Sequence, residues 1–235
     1  MRKNKSEETL TIRIGNEEIV ESKSEKLLGI TIDSNLKWEN HIKNLTRKLN
    51  FRLFTLRRLK EKIPMCLMKS VAEGIFMSHI RYALPLYCPV KINDNDPTSG
   101  SITELKKVFN DCLRLLLGKV ISDQVSIKSM LEELGWLSIN QLAAETRLIE
   151  AWKTVHLEDY CMKDALKLRN KGRYNTRSNH VNFLESGVED IHGSAGFVNT
   201  TARLWNKSPN SVKEAPSISS AKTEIRRFVQ EAIPL

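Results

Sequence analysis

A dense run of basic residues is the chemically most specific feature of the sequence. Between Lys43 and Lys62 there are eight Lys or Arg residues and one acid, Glu61. The apolar residues of this run recur every three or four positions, as on one face of an α-helix, and cations dominate the opposite side. The apolar face comprises Ile42, Leu45, Leu49, Leu53 and Leu56, and the opposite side Lys43, Arg47, Phe51, Arg58 and Lys62. Such a helix suits a phosphate backbone, although a solvated outer face would show the same pattern.

A second basic stretch lies further along the chain. Residues 167–177 contain five Lys or Arg residues and no acid. Basic side chains interleaved with an aromatic ring suit single-stranded nucleic acid, because a ring can stack on any base. A solvated linker explains this composition equally well. The candidate binding residues of the stretch are Lys171, Arg173, Tyr174 and Arg177.

The residues that could perform catalysis or bind a metal are dispersed. The five histidines have no cysteine or carboxylate at ligand spacing, and no two aspartates are adjacent anywhere in the chain. Asp33 is a single acid before the basic helix, where an aspartate commonly shapes a turn. No Gly-x-Ser-x-Gly sequence marks a nucleophilic serine. We therefore predict no catalytic residue, no metal ligand and no cofactor for this chain.

Charge and hydropathy limit the class of protein and its compartment. The net charge is +9 and the pI about 9.4, which favours an anionic partner, nucleic acid before a membrane surface. Lysines kept only for solubility are the alternative. No run approaches the roughly 20 apolar residues that span a bilayer, and no signal peptide is recognisable, so an intracellular, nuclear or cytoplasmic protein is expected. The widely spaced cysteines are predicted to be reduced and buried: Cys66, Cys88, Cys112 and Cys161.

Four short segments resemble one protein family in their order and spacing. They are LLGITIDSNLKWENHI at 27–42, LEELGWLS at 131–138, YNTRS at 174–178, and ARLWN at 202–206 followed by Ser208-Pro209. In their order and spacing, the four segments extend over almost the whole chain, from residue 27 to residue 209. They are similar to the end of the palm, the thumb and the C-terminal region of reverse transcriptases from non-LTR retrotransposons of the LINE or jockey type.

The resemblance implies a function in nucleic-acid binding without catalysis. In the family the thumb grips the template–primer duplex through its sugar-phosphate backbone, without reading bases. Six residues match its basic helix by position: Lys43, Arg47, Lys48, Arg52, Arg57 and Arg58. The complete parent enzymes are RNA-directed DNA polymerases whose Mg²⁺ ions are held by an aromatic-Ala-Asp-Asp turn preceding the matched region. The matching basic helix leads us to expect binding of RNA–DNA or DNA duplexes. Because the Asp-Asp turn is absent, we do not expect this chain to polymerise by itself.

The elements needed to position these residues form an α+β chain that is mostly α-helical. Residues 10–14 and 17–20 predict a half-buried antiparallel hairpin, and residues 27–32 a third strand of the same small sheet. The basic helix starts at residue 39. A second helix is predicted from near Pro64 to near Pro85, with Gly74 as a weak point. Its predicted apolar face consists of Leu67, Val71, Ile75 and Ile80.

Beyond an Asn- and Asp-rich loop, the chain is predicted to continue as helices. They cover residues 101–117, 127–134 and 138–156, and a last helix follows Pro216-Ser217. Ser138 and Gln141 form a capping box. Trp38, Trp136 and Trp205 are predicted core anchors, and His41 is predicted to pack and hydrogen-bond at the start of the basic helix. The predicted units are a palm remnant (1–38), a thumb-like unit (39–90) and a helical C-terminal region (101–235), with a basic polar stretch near 167–182.

Three other interpretations of the chain stay open at this point. The helices could form a protein-interaction scaffold, using an apolar face that the palm covers in the parent enzyme. The chain could be an inert remnant of a degenerate element. A nuclease would require Asp33, Glu39 and Asp94 to converge in one cleft.

Overall fold

Four short strands precede a series of helices along the chain. The structure is a computed structural model, and it describes residues 11–93, 100–168, 182–185 and 196–235. The strands are β1 (Thr11–Ile14), β2 (Glu17–Val20), β3 (Ser24–Leu27) and β4 (Ile30–Asp33). Antiparallel pairing joins β1 to β2 and β3 to β4. The predicted α+β, mostly helical class is thus confirmed, and the N-terminal sheet consists of two separate hairpins.

The hairpin of β1 and β2 has the predicted pairing but not the predicted burial. Ile12 pairs with Ile19, and Gly15 in the turn has a φ of +63°. Ile12, Ile14 and Ile19 are 53%, 64% and 51% exposed. The prediction of half-buried strands is therefore wrong. Alternating residues do indicate a strand, but burial depends on a second layer, which the described part of the chain does not provide here.

The hairpin of β3 and β4 replaces the predicted single strand at residues 27–32. Leu28 and Gly29 have φ values of +49° and +84°, so both central residues of the turn are left-handed, as a type I′ turn requires. The prediction missed this reversal because Leu28 is an apolar residue in a position that usually takes Asn, Asp or Gly. Tyr82 Oη donates a hydrogen bond to the Leu28 carbonyl oxygen at 2.7 Å, which ties the turn to the helices.

The first helices lie within residues 39–90, the range predicted as a thumb-like unit. They are α1 (Glu39–Lys60), α2 (Met65–Ala72), a π-helical segment (Glu73–Met77), α3 (Ser78–Arg81) and α4 (Leu84–Tyr87). The apolar residues predicted for the inner face of α1 are all buried. The basic helix is therefore confirmed in extent and orientation.

The face predicted for the second helix is confirmed at Ile80, and Val71 and Ile75 pack half-buried against the core, but it is wrong at Leu67. Leu67 is 53% exposed, whereas Met68 and Ala72 are buried. The π-helical segment adds one residue to a turn, so Phe76 and Met77 are both buried before Ile80 returns to the inner face. This segment contains Gly74, the predicted weak point of the helix.

Further helices follow in the described part of the chain after the Asn- and Asp-rich segment. They are α5 (Gly100–Leu117), α6 (Ile127–Leu134), α7 (Ile139–His156), α8 (Phe197–Lys207), α9 (Asn210–Lys213) and α10 (Ile218–Ala232). The predicted capping box at the start of α7 is confirmed, with Ser138 Oγ accepting from the Gln141 N–H and Gln141 Oε1 accepting from the Ser138 N–H. α7 packs against α4, α8 and α10.

One hydrophobic core contains residues from α1 through α10. α1 packs against α5 across the predicted unit boundary, and buried residues of both belong to this core. The division into units stays a prediction. Trp136 and Trp205 are buried and Trp38 is half-buried against the core, as predicted for anchors. Of the four cysteines only Cys88 and Cys112 are buried, so the prediction fails for Cys66 and Cys161, which are exposed.

Arg147 is a buried cation that sequence analysis did not single out. It is 2% exposed, and its guanidinium donates to the carbonyl oxygens of Cys88 and Pro85 at 2.9 and 2.7 Å. Burial lowers the pKa of Arg147 to about 10. Its hydrogen bonds fasten the end of α4 to α7, which is a structural role.

Candidate nucleic-acid interface

The start of α1 is set by Asp33, at the end of β4. Its carboxylate accepts hydrogen bonds from the N–H groups of Asn35, Lys37 and Trp38, at 3.2, 2.9 and 2.8 Å. The intervening backbone is unusual, since Leu36 and Trp38 have φ values of +51° and +62°. The predicted turn-shaping role of Asp33 is confirmed. The carboxylate of Asp33 stabilises the strained connection between β4 and α1.

Hydrogen bonding also explains the acidity of Asp33. Partial burial acts to raise the pKa of its carboxyl, but the hydrogen bonds from Lys37, Trp38 and Asn35 outweigh that effect and hold the pKa below its usual value. A carboxylate held in this way by three N–H groups has little capacity left to bind a metal.

His41 fastens the first turn of α1 to the second hairpin. It is 8% exposed, and its Nδ1 accepts a hydrogen bond from the Thr31 N–H at 3.3 Å. Its ring centroid lies 4.9 Å from that of Tyr87. Burial and, to a smaller extent, the charge of Lys48 lower the pKa of His41, which favours the neutral ring. The predicted packing role of His41 is confirmed.

The structure displays the six predicted cations of α1 to solvent. Five of them are exposed and Arg52 is half-buried. Within the described ranges, none of the six forms a salt bridge with a carboxylate. Arg47 instead donates a long hydrogen bond of 3.5 Å to Asn44 Oδ1. The cations therefore keep most of their capacity to bind an external anion. They are Lys43, Arg47, Lys48, Arg52, Arg57 and Arg58.

The six cations divide between two sides of α1. At about 100° of rotation per residue, Lys48 and Arg52 lie about 100° or more from Arg47 around the helix axis. Lys48 and Arg47 line a cleft of about 240 Å³, together with Lys26 of β3 and His79 of α3. Among the described residues, none that lines this cleft carries a carboxylate. Burial lowers the pKa of His79, and the nearby charges of Arg52 and Lys48 lower it further.

The other side of α1 is a line of five side chains that we call the outer ridge. It consists of Lys43, Arg47, Phe51, Phe54 and Arg58. Phe51 and Phe54 are 65% and 53% exposed, and the Arg58 guanidinium lies 5.9 Å from the centroid of the Phe54 ring. The sequence analysis placed Phe51 on this side but missed Phe54. Its spacing of three residues from Phe51 and four from Arg58 was the available signal.

The candidates in the second basic stretch lie outside the described residues. These are Lys171, Arg173, Tyr174 and Arg177, so their predicted role stays a prediction. The same holds for Asp94, which the nuclease interpretation requires. Within the described ranges, no three His, Cys, Asp or Glu side chains lie close enough together to hold a metal ion. None of the helices in those ranges is long and apolar enough to cross a membrane.

The chemistry available on α1 is anion binding by cations and stacking by rings. Guanidinium and ammonium groups donate charge-assisted hydrogen bonds to phosphate oxygens, and exposed aromatic rings stack on bases. Comparison of the sequence with models of protein families, with curated proteins and with solved structures finds no match.

Proposed function

We propose that this chain is the C-terminal part of a non-LTR retrotransposon reverse transcriptase and that α1 binds the backbone of RNA–DNA or DNA duplexes irrespective of sequence. The observation that carries the proposal is the display of six cations on one helix of 22 residues, without a salt bridge in the described ranges. The family resemblance supports it independently, because the same residues match the basic helix of the thumb.

The dimensions of α1 suit contact with several phosphates. Lys43 and Arg58 lie about 22 Å apart along the helix axis, because 15 steps of about 1.5 Å separate them. A duplex carries one phosphate per strand about every 3.4 Å of its axis. Long, flexible side chains spread over this distance can reach several phosphates of one strand. Contacts of this kind position the duplex but carry no sequence information.

The experiment that tests this proposal is a salt titration of binding. The logarithm of the association constant should fall linearly with the logarithm of salt concentration, by about 0.9 per phosphate neutralised on B-form DNA. The combined variant Arg47→Glu, Lys48→Glu, Arg52→Glu should weaken binding to every duplex sequence alike and reduce the slope by about 2.7 if each residue neutralises one phosphate. Unchanged affinity in this variant would refute the assignment of α1.

A matched control separates a local site from overall charge. Lys128, Lys207 and Lys222 are exposed lysines on α6, α8 and α10. Replacing these three by Glu changes the net charge by the same amount and should leave most of the duplex affinity intact. An equal loss in both variants would show that binding follows net charge and not α1. Far-UV circular dichroism of both variants checks that the fold persists.

The proposal also predicts that the chain alone does not extend a primer. The family's catalytic carboxylates form an Asp-Asp pair, and the sequence contains none. In the complete parent enzyme that pair holds the Mg²⁺ ions that activate the attacking hydroxyl and stabilise the leaving pyrophosphate. Incubation with primer–template, deoxynucleotides and Mg²⁺ should give no extension. Extension by the purified chain would show that other residues replace the missing Asp-Asp pair, and would refute this prediction.

A second candidate function is interaction with another protein through the first hairpin. Ile12, Ile14 and Ile19 lie on one face of it and are each more than half exposed. Three clustered isoleucines are unusual on a free surface and typical of a contact. The palm of a parent enzyme, supplied as a separate fragment, should bind this face, and Ile12→Lys with Ile19→Lys should abolish the binding. Glu18→Lys, on the opposite face, is the control. A chain that binds neither duplex nor palm would be an inert remnant.

A further inference from the structure

The outer ridge combines two solvent-exposed rings with cations on both sides. Phe51 and Phe54 are 65% and 53% exposed, although the neighbouring Leu49 and Leu53 are buried. The core beneath α1 is therefore filled by leucines, and the two rings contribute little to it. Removing large apolar side chains from water is favourable, so two adjacent exposed rings indicate a contact surface better than they indicate a solvated helix face.

Along the ridge, the two rings are adjacent and have a cation on each side. At about 1.5 Å per residue, Phe51 lies about 6 Å beyond Arg47 along the helix axis, Phe54 about 4.5 Å further, and Arg58 about 6 Å beyond that. The contact of the Arg58 guanidinium with the Phe54 ring, at 5.9 Å from its centroid, keeps the positive charge beside the aromatic surface. The acids of this segment, Glu39 and Glu61, stand at the two ends of the helix.

We propose that the outer ridge is a stacking site for single-stranded nucleic acid, where bases lie on Phe51 and Phe54 and the flanking phosphates contact Arg47 and Arg58. The inference extends the proposed function, since it assigns to α1 a strand whose bases are free. Bases inside a duplex are covered by their neighbours, so these rings can stack only on a single strand or at a duplex end. In single-stranded nucleic acid every nucleotide carries both a phosphate and an aromatic base, so one strand can contact the cations and the rings of the ridge together.

Charge favours nucleic acid over a protein partner at this surface. A purely apolar protein contact would require the ridge cations to be desolvated or matched by acids, which costs free energy unless each one is paired. A nucleic-acid strand supplies a phosphate for each base, and thus satisfies cations and rings together. The sequence analysis predicted single-strand binding by the second basic stretch, at residues 167–177. The outer ridge is a different set of residues, which belongs to α1.

The test compares binding of single-stranded and duplex oligonucleotides of equal length at fixed salt. The oligonucleotides carry 2-aminopurine, whose fluorescence falls when it stacks. The variant Phe51→Ala, Phe54→Ala should bind the single strand at least about 30-fold more weakly, which is the loss expected for two stacked bases, and should no longer quench 2-aminopurine. Duplex affinity and the salt dependence should stay unchanged, because the cations are retained. Phe51→Tyr with Phe54→Tyr should restore single-strand binding.

Two controls make the result specific to aromatic stacking. Met65→Ala with Leu67→Ala removes exposed apolar groups from α2 and should leave single-strand affinity unchanged. Phe51→Leu with Phe54→Leu keeps an apolar surface without a π-system and should behave like the alanine variant. Full affinity in the leucine variant would overturn the stacking proposal.

The possible failures of the two proposals are distinguishable. Equal weakening of single strand and duplex in the alanine variant, or no weakening of either, overturns the stacking site but does not overturn the proposal that the cations of α1 bind duplexes. Unchanged duplex affinity in the charge-reversed α1 variant overturns the proposed function, whatever the rings do. Loss of self-association in the alanine variant, measured by sedimentation while single-strand affinity is unchanged, would assign the ridge to a protein contact and refute stacking.

Discussion

Replacing Asp33 by Ala should destabilise the protein and loosen the start of α1. The substitution removes an acceptor of three backbone hydrogen bonds, from the N–H groups of Asn35, Lys37 and Trp38. The first two bonds are exposed, so water replaces the carboxylate there and each loss costs only a few tenths of a kcal/mol. The third is partly buried, and leaving its donor unsatisfied costs about 1–2 kcal/mol.

The total effect expected for Asp33→Ala is about 2 kcal/mol. For a chain of this size that corresponds to a fall in Tm of about 4–8 °C. A comparable loss is measured when an Asp at a helix N-cap is replaced by Ala, about 0.5–2 kcal/mol. Asp111→Ala is a suitable control, because it removes one carboxylate whose only partner among the described residues is Arg114, in a surface ion pair. Its expected cost is below about 0.5 kcal/mol.

The destabilisation should depend on pH in a defined direction. The pKa of Asp33 is lower in the folded chain than the ordinary 3.8, so the unfolded chain binds a proton more readily. The stability that the carboxylate contributes is therefore complete above the unfolded-state pKa and is lost as pH falls through the lower folded-state pKa. Urea denaturation of the wild type and Asp33→Ala should show a constant difference at pH 5–7 and a shrinking one below pH 4. Equal stability of the two proteins at pH 7 would refute the reasoning.

Two further predictions concern α1's neighbours. Gly74→Ala should raise the free energy of unfolding by about 0.5–1 kcal/mol, because an added Cβ meets no atom within 4 Å and the unfolded chain loses entropy; a lower Tm would contradict this. His79 should titrate below 6.5 in an NMR experiment, and replacing Lys48 and Arg52 by Gln should raise its pKa. Because the unfolded chain binds a proton at His79 more readily than the folded chain does, the free energy of unfolding should decrease as pH falls below 6.5. This decrease should be smaller in the variant with Gln at positions 48 and 52.

Local patterns predicted the elements that carry the candidate site. The spacing of Leu45, Leu49 and Leu53 identified α1 and its inner face, because a helix of 3.6 residues per turn places these residues on one side whatever lies beneath them. The pairing of β1 with β2 followed from the Gly15-Asn16 turn, and the start of α7 from Ser138 and Gln141. These features depend on residues within a few positions of one another.

Features that depend on distant residues were missed or wrong. The side of the second helix that is buried follows from what packs against it, so Met68 is inside and Leu67 outside. The turn at Leu28-Gly29 is supported by Tyr82, which is more than fifty positions away in the sequence. Burial of Arg147 requires carbonyl groups at the end of α4, and no local pattern reports that these lie beside α7.

The sequence by itself determined that α1 is an amphipathic helix with a surplus of positive charge. Only the tertiary structure decided how that charge is divided, because packing of α3 and the second hairpin against α1 places Arg47 and Lys48 at a cleft with His79, whereas Phe51, Phe54 and Arg58 are exposed on the outer ridge. The physical reason is that helical periodicity is a property of neighbouring residues, whereas exposure and electrostatic potential depend on which distant segments come to lie against them.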